Sequence, residues 1–145
     1  MLILDTTFHI EEFVPKETFE KWGEKSIWFI NPNIVLFSQW LKTTLDDVSV
    51  VINDWKWGGS YNYSGYRPPD CAIGAKESSH RRGIAVDIKI KGYHPERIRD
   101  LIRQNFQMLN ERFGVTGYEV GTDTWVHVDF RWTNIDKLYE IPIPK

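Results

Sequence analysis

Ser78-Ser79-His80-Arg81-Arg82-Gly83-Ile84-Ala85-Val86-Asp87 sets an imidazole and a carboxylate seven positions apart and runs directly into an apolar, β-type stretch over residues 84–90. Gly83 and Ala85 leave little bulk between the two polar groups, so the chain can bend around whatever they hold. Asp87 stands between Val86 and Ile88, where an unpaired carboxylate would be costly. Either a metal ion or an arginine such as Arg81 or Arg82 would offset that cost. Further on, Trp125-Val126-His127-Val128-Asp129-Phe130 carries a second imidazole. As a strand it aims Trp125, His127 and Asp129 one way and Val126, Val128 and Phe130 the other, toward a core. Two histidines and one aspartate are a sufficient donor set for zinc, with the fourth position left to water. The competing reading is a polar strand face on which Asp129 pairs with Arg131.

The segments on either side define the scaffold. Asn31-Pro32 provides an N-cap and a first-turn proline for a helix over 32–45, whose Ile34, Phe37, Leu41 and Leu45 form one stripe with Trp40 beside it. Pro15 predicts a shorter helix over 15–22, closed by Gly23. Residues 48–57 are rich in β-branched and aromatic side chains and predict a strand. The polar stretch 61–79, with Gly65, Gly74 and Pro68-Pro69, predicts a long irregular loop; its length and its junction with the His80 motif point to function. A helix over 95–113 buries Ile98, Leu101, Ile102, Phe106 and Leu109 and stops at Gly114, with His94 contributing to its start. Residues 115–120 and 125–132 predict two strands across a turn at 121–124, and the tail, with Pro142 and Pro144, predicts extended chain. Helices and strands do not alternate regularly. The expected architecture is therefore a single α+β domain over 1–145, with an antiparallel sheet and helices packed on one side. Its motif-bearing core spans about 50–131, and a helical N-terminal segment covers residues 1–47.

The bulk properties narrow the classes of function. A net charge of -2 argues against a dedicated nucleic-acid binder, which carries a basic excess. Cys71 is the sole cysteine, which excludes an internal disulfide and a cysteine-based zinc site. No stretch approaches the roughly 20 apolar residues of a membrane span, and the N-terminus lacks the pattern of a secretory signal. A protein made in the cytoplasm without a signal peptide is the expectation. The seven tryptophans fit a core rich in large rings or a groove for flat or sugar-like ligands. Nothing in the sequence sets an oligomeric state.

Taken together, Ser78-x-His80-x-x-Gly83-x-Ala85-x-Asp87 and Trp125-x-His127-Val128-Asp129 resemble the D-Ala-D-Ala-type zinc peptidases, which share their fold with the Hedgehog signalling domain. The likeness covers about residues 50–131 and is closest to the short, phage-type branch, through Ser64-Gly65-Tyr66-Arg67. It implies one zinc ion held by His80, Asp87 and His127, and a peptidoglycan stem or cross-bridge peptide as substrate. It also implies that Arg67 binds a substrate carboxylate or stabilises the oxyanion, the alternative being an ordinary loop arginine bonded to backbone carbonyls. Ser78 would bond the substrate or order the ligand loop, with capping of the turn around His80 equally open. Asp129 would orient a ligand histidine. Many members of that family carry an acid three positions before the last histidine; here the position is Thr124. Asp123 is the nearest substitute as general base, ahead of Glu119 and Asp129. The implied setting is the cell wall, reached after release or as a component of a virion. The alternative is a non-catalytic, zinc-stabilised binding or virion structural module.

Overall fold

The computed structural model of the chain describes residues 2, 3, 5–131 and 137–142. Among them lie four α-helices, α1 (Lys16–Trp22), α2 (Pro32–Thr44), α3 (Pro95–Gln104) and α4 (Phe106–Phe113). Five strands, β1 (Val50–Val51), β2 (Ala85–Ile90), β3 (Gly117–Glu119), β4 (Val126–Asp129) and β5 (Tyr139–Ile141), form one sheet in the order β1-β2-β4-β3-β5. The α+β class is as expected. The sheet, however, is mixed rather than antiparallel, because β5 runs parallel to β3. The reason is positional. β4 is paired on one side with β2 and on the other with β3, so the returning chain finds its open edge at β3 and meets it in the same direction.

Local chemistry accounts for where the elements start and stop. Asn31 accepts the Asn33 N–H at 3.0 Å and Pro32 opens α2, while the His94 ring accepts the Glu96 N–H at 3.2 Å ahead of Pro95 at the start of α3. Pro15 proves to be the N-cap of α1 rather than its first residue. The helix expected over 95–113 is two helices. Asn105 leaves helical geometry at φ -113° and ψ 13°, and its side-chain amide shares the Leu101 carbonyl at 2.8 Å with its own backbone N–H, a local competition that ends one helix and starts the next. The strand expected over 48–57 shrinks to Val50–Val51. Its continuation leaves the ladder because Asn53 bonds sideways to the Val14 carbonyl and the Ser64 N–H, and Asp54 accepts the Tyr61 N–H. β4 ends at Asp129, whose own carboxylate takes the Arg131 N–H. Of the expected extended residues, Trp132 and Pro144 lie outside the described ones.

The strands divide two environments. Val86, Ile88, Tyr118, Val126 and Val128 are at most 1% exposed and face a hydrocarbon core. Phe37 of α2 meets Phe130 and Phe113 edge-on there, and Ile98 and Ile102 of α3 complete the packing. Each such side chain contributes about 1.5–3 kcal/mol by leaving water. α1 is placed differently, tied to the long loop by Glu17, which accepts the Tyr63 hydroxyl at 2.6 Å and the Asn62 amide at 3.2 Å. No helix among the described residues is long and apolar enough to cross a membrane.

Candidate metal centre

The sheet's other face carries the polar groups, and register decides which of them meet. Asp87 of β2 pairs directly with His127 of β4, and Ala85 pairs with Asp129, so the two acids and the imidazole share a face. His80 reaches the same point from the 3₁₀ turn Ser79–Arg82. Ser78 caps that turn, its Oγ accepting the His80 N–H at 3.3 Å. Gly83 closes it at φ +68°, and a Cβ there would lie 1.9 Å from the Phe29 carbonyl oxygen, so only glycine lets the turn run into β2.

Ser64-Gly65-Tyr66-Arg67 lies along the two ligand segments and bonds to both. The Ser64 carbonyl accepts the Asp87 N–H at 2.7 Å, the Gly65 carbonyl lies 2.8 Å from His80 Nδ1, and the Arg67 N–H donates to the His80 carbonyl at 3.1 Å. Arg67 Nη2 donates to Asp87 Oδ2 at 3.4 Å, while its Nε is held by the Tyr63 carbonyl at 2.8 Å. Gly65 has a steric reason too: a Cβ would fall 2.2 Å from the Phe13 carbonyl oxygen. Sequence reasoning assigned a task only to Arg67. The backbone roles of Ser64 and Gly65 left no signal beyond the glycine itself.

Three donor atoms converge. His80 Nε2 lies 3.2 Å from Asp87 Oδ1 and 3.2 Å from His127 Nδ1, and His127 Nδ1 lies 2.9 Å from Asp87 Oδ1. The outer ring nitrogens determine what these inner atoms offer. His80 Nδ1 faces a carbonyl, and His127 Nε2 faces Asp129 Oδ2 at 3.1 Å; both partners only accept, so both outer nitrogens carry protons. In the neutral rings the inner nitrogens are then bare lone pairs, aimed at each other and at a carboxylate oxygen. Such an arrangement is satisfied by a cation. Zinc bonds of about 2.0–2.1 Å at tetrahedral angles place neighbouring donors about 3.3–3.4 Å apart, close to these separations. His80, Asp87 and His127 can therefore hold one metal ion, with Gly65 and Asp129 orienting the rings.

Asp129 is fully buried, and besides His127 it binds Arg131 through Nε at 2.7 Å and Nη2 at 2.8 Å. Both readings of that strand face thus coexist: the ion pair is present, and it braces the histidine. Burial alone would push the Asp129 carboxyl up, but the bonds from Arg131 and His127 outweigh it and hold the group well below the usual range. Asp87 behaves alike: burial opposes its charge, and His127 and His80 overcome that opposition. Burial also pulls His127 down, yet its bonds to Asp129 and Asp87 lift it to about 9. In the metal-free protein a proton on Nδ1 occupies the position of a cation, so the two compete.

The triad floors an open cleft of about 340 Å³ that Arg67, Ser78, Glu119 and Trp125 also line. Arg81, one of the alternative partners for Asp87, instead pins the loop through the carbonyls of Pro69, Cys71 and Ala75, and Arg82 pairs with exposed Glu77. Asp123 and Thr124 are exposed in the β3–β4 turn and are not among the residues lining the cleft. Glu119 is. In comparisons with known proteins no family model matches the chain, and neither a curated protein nor a solved structure matches it.

Proposed function

We propose that this chain is a zinc metallopeptidase, a hydrolase of bacterial cell-wall peptide with the D-Ala-D-Ala peptidase fold. The observation that carries the reading is the meeting of His80 Nε2, His127 Nδ1 and Asp87 Oδ1 on the floor of an open cleft, with each ring's other nitrogen committed to a fixed acceptor. Two imidazoles and one carboxylate favour zinc over calcium or magnesium, which take oxygen ligands. When bound, the ion would polarise a scissile carbonyl and lower the pKa of a water beside it. Arg67, held at Nε by Tyr63, presents a fixed guanidinium on the cleft wall for a substrate carboxylate or an oxyanion.

The substrate class rests on the motif likeness: a D-amino-acid-containing stem peptide or cross-bridge of peptidoglycan. Cleavage as a carboxypeptidase or endopeptidase suits a bacteriophage endolysin or virion protein engaged in cell wall degradation. Purified protein is expected to hold one zinc per chain and to release new amino groups from peptidoglycan, with His80→Ala abolishing both. One specific observation favours a second reading, a non-catalytic zinc-stabilised module: Thr124 stands in the family's acid position, and Asp123 beside it is exposed. Stoichiometric zinc without amine release from several wall chemotypes selects that module. Protein purified without chelators and lacking stoichiometric metal sinks both readings.

A further inference from the structure

We infer that Glu119 is the carboxylate that accepts and returns the proton in this cleft, an assignment that rests on the peptidase reading above. The pairing of Gly117 with Asp129 and Tyr118 with Val128, carried one step further, sets Glu119 opposite His127. Alternation then puts it on the Asp129 and His127 face. The row Asp87, His127, Glu119, Ile141 thus crosses β2, β4, β3 and β5 in register, and all four residues line the cleft. Among the described residues the Glu119 carboxylate has no hydrogen-bonded partner, whereas Arg67, His80, Asp87 and His127, which line the same cleft, each have side-chain hydrogen bonds. Its backbone, by contrast, is held: buried Arg99 donates Nε to the Glu119 carbonyl at 3.0 Å.

The same arginine keeps Asp123 away. Arg99 Nη2 donates to the Thr122 carbonyl at 2.7 Å and to Thr122 Oγ1, and Thr122 Oγ1 bonds the Trp125 carbonyl at 2.5 Å. With the turn clamped on both flanks of Asp123, inward adjustment of that residue would break buried bonds. The step assigned to Glu119 balances without a co-reactant. Its carboxylate takes a proton as a water oxygen bonds to the scissile carbonyl carbon, and it returns that proton to the amine nitrogen as the C–N bond breaks.

The test compares zinc-loaded wild type, Glu119→Gln, Glu119→Asp and Asp123→Asn by metal content, by calorimetric binding of acetohydroxamic acid, whose N–OH proton the same carboxylate would accept, and by amine release from peptidoglycan. E119Q is expected to keep one zinc and the fold, bind the hydroxamate at least tenfold more weakly and lose about 10²–10⁴-fold in hydrolysis. E119D is expected to recover some of both, and D123N to lose less than E119Q. Wild-type-like hydroxamate binding by E119Q, or loss confined to D123N, overturns the assignment. If wild-type protein cuts no peptidoglycan, the peptidase reading fails, while the hydroxamate comparison still decides the placement of Glu119.

Discussion

His127 and His80 deliver lone pairs to the same point by opposite means. His127 sits on a strand, its position set by pairing with β2 and its ring braced by a charged, fully buried carboxylate. His80 sits on a four-residue turn, held by a serine cap, by a glycine packed on the Phe29 carbonyl and by the neutral Gly65 carbonyl. The strand half depends on charge and long-range register; the loop half depends on steric fit and local capping. The two halves should therefore fail differently.

The largest expected effect lies on the strand side. Asp129→Asn places an amide where both neighbours, His127 Nε2 and the Arg131 guanidinium, donate. It should cost about 3 kcal/mol of stability and weaken zinc about 10–100-fold, read by denaturant melts and chelator competition. Next comes pH. In metal-free protein His127 is raised from 6.5 to about 9. A raised group contributes stability that is fully present below its unfolded pKa and is lost as pH rises through the folded value. Metal-free protein should accordingly lose up to about 3 kcal/mol between about pH 6 and about pH 10. Saturating zinc should flatten that slope, because the ion replaces the proton. A slope of the opposite sign in urea melts would show that His127 is neutral in the folded protein. The smallest effect belongs to the loop side: Ser78→Ala removes one cap, costing about 1 kcal/mol, and should leave zinc affinity within a few-fold. A Ser78→Ala loss as large as that of Asp129→Asn would erase the contrast between the halves.

How legible the site was in the sequence follows the same division. His80, Asp87 and His127 stand out because donor types at those spacings are few, and strand alternation alone separates His127 and Asp129 from Val126 and Val128. The helix starts at Asn31-Pro32 and His94-Pro95 are written locally and are found where expected. What escaped were features in which a side chain competes with the backbone: Asn105 breaking a helix, and Asn53 and Asp54 drawing the chain out of β1. The parallel β5 escaped because an extended tail carries no mark of which edge is open.

Local sequence, then, was sufficient for the α+β class, the three candidate ligands and the faces of β4, since periodicity, capping and donor chemistry act over a few residues. Tertiary structure alone decided that Asp87 and His127 lie side by side and that Arg67 rather than Arg81 or Arg82 answers Asp87. It alone put a carbonyl behind His80 and a carboxylate behind His127, and Glu119 in the cleft in place of Asp123. Each of those outcomes is a register or a bond between segments far apart in the chain, and no short-range pattern encodes it.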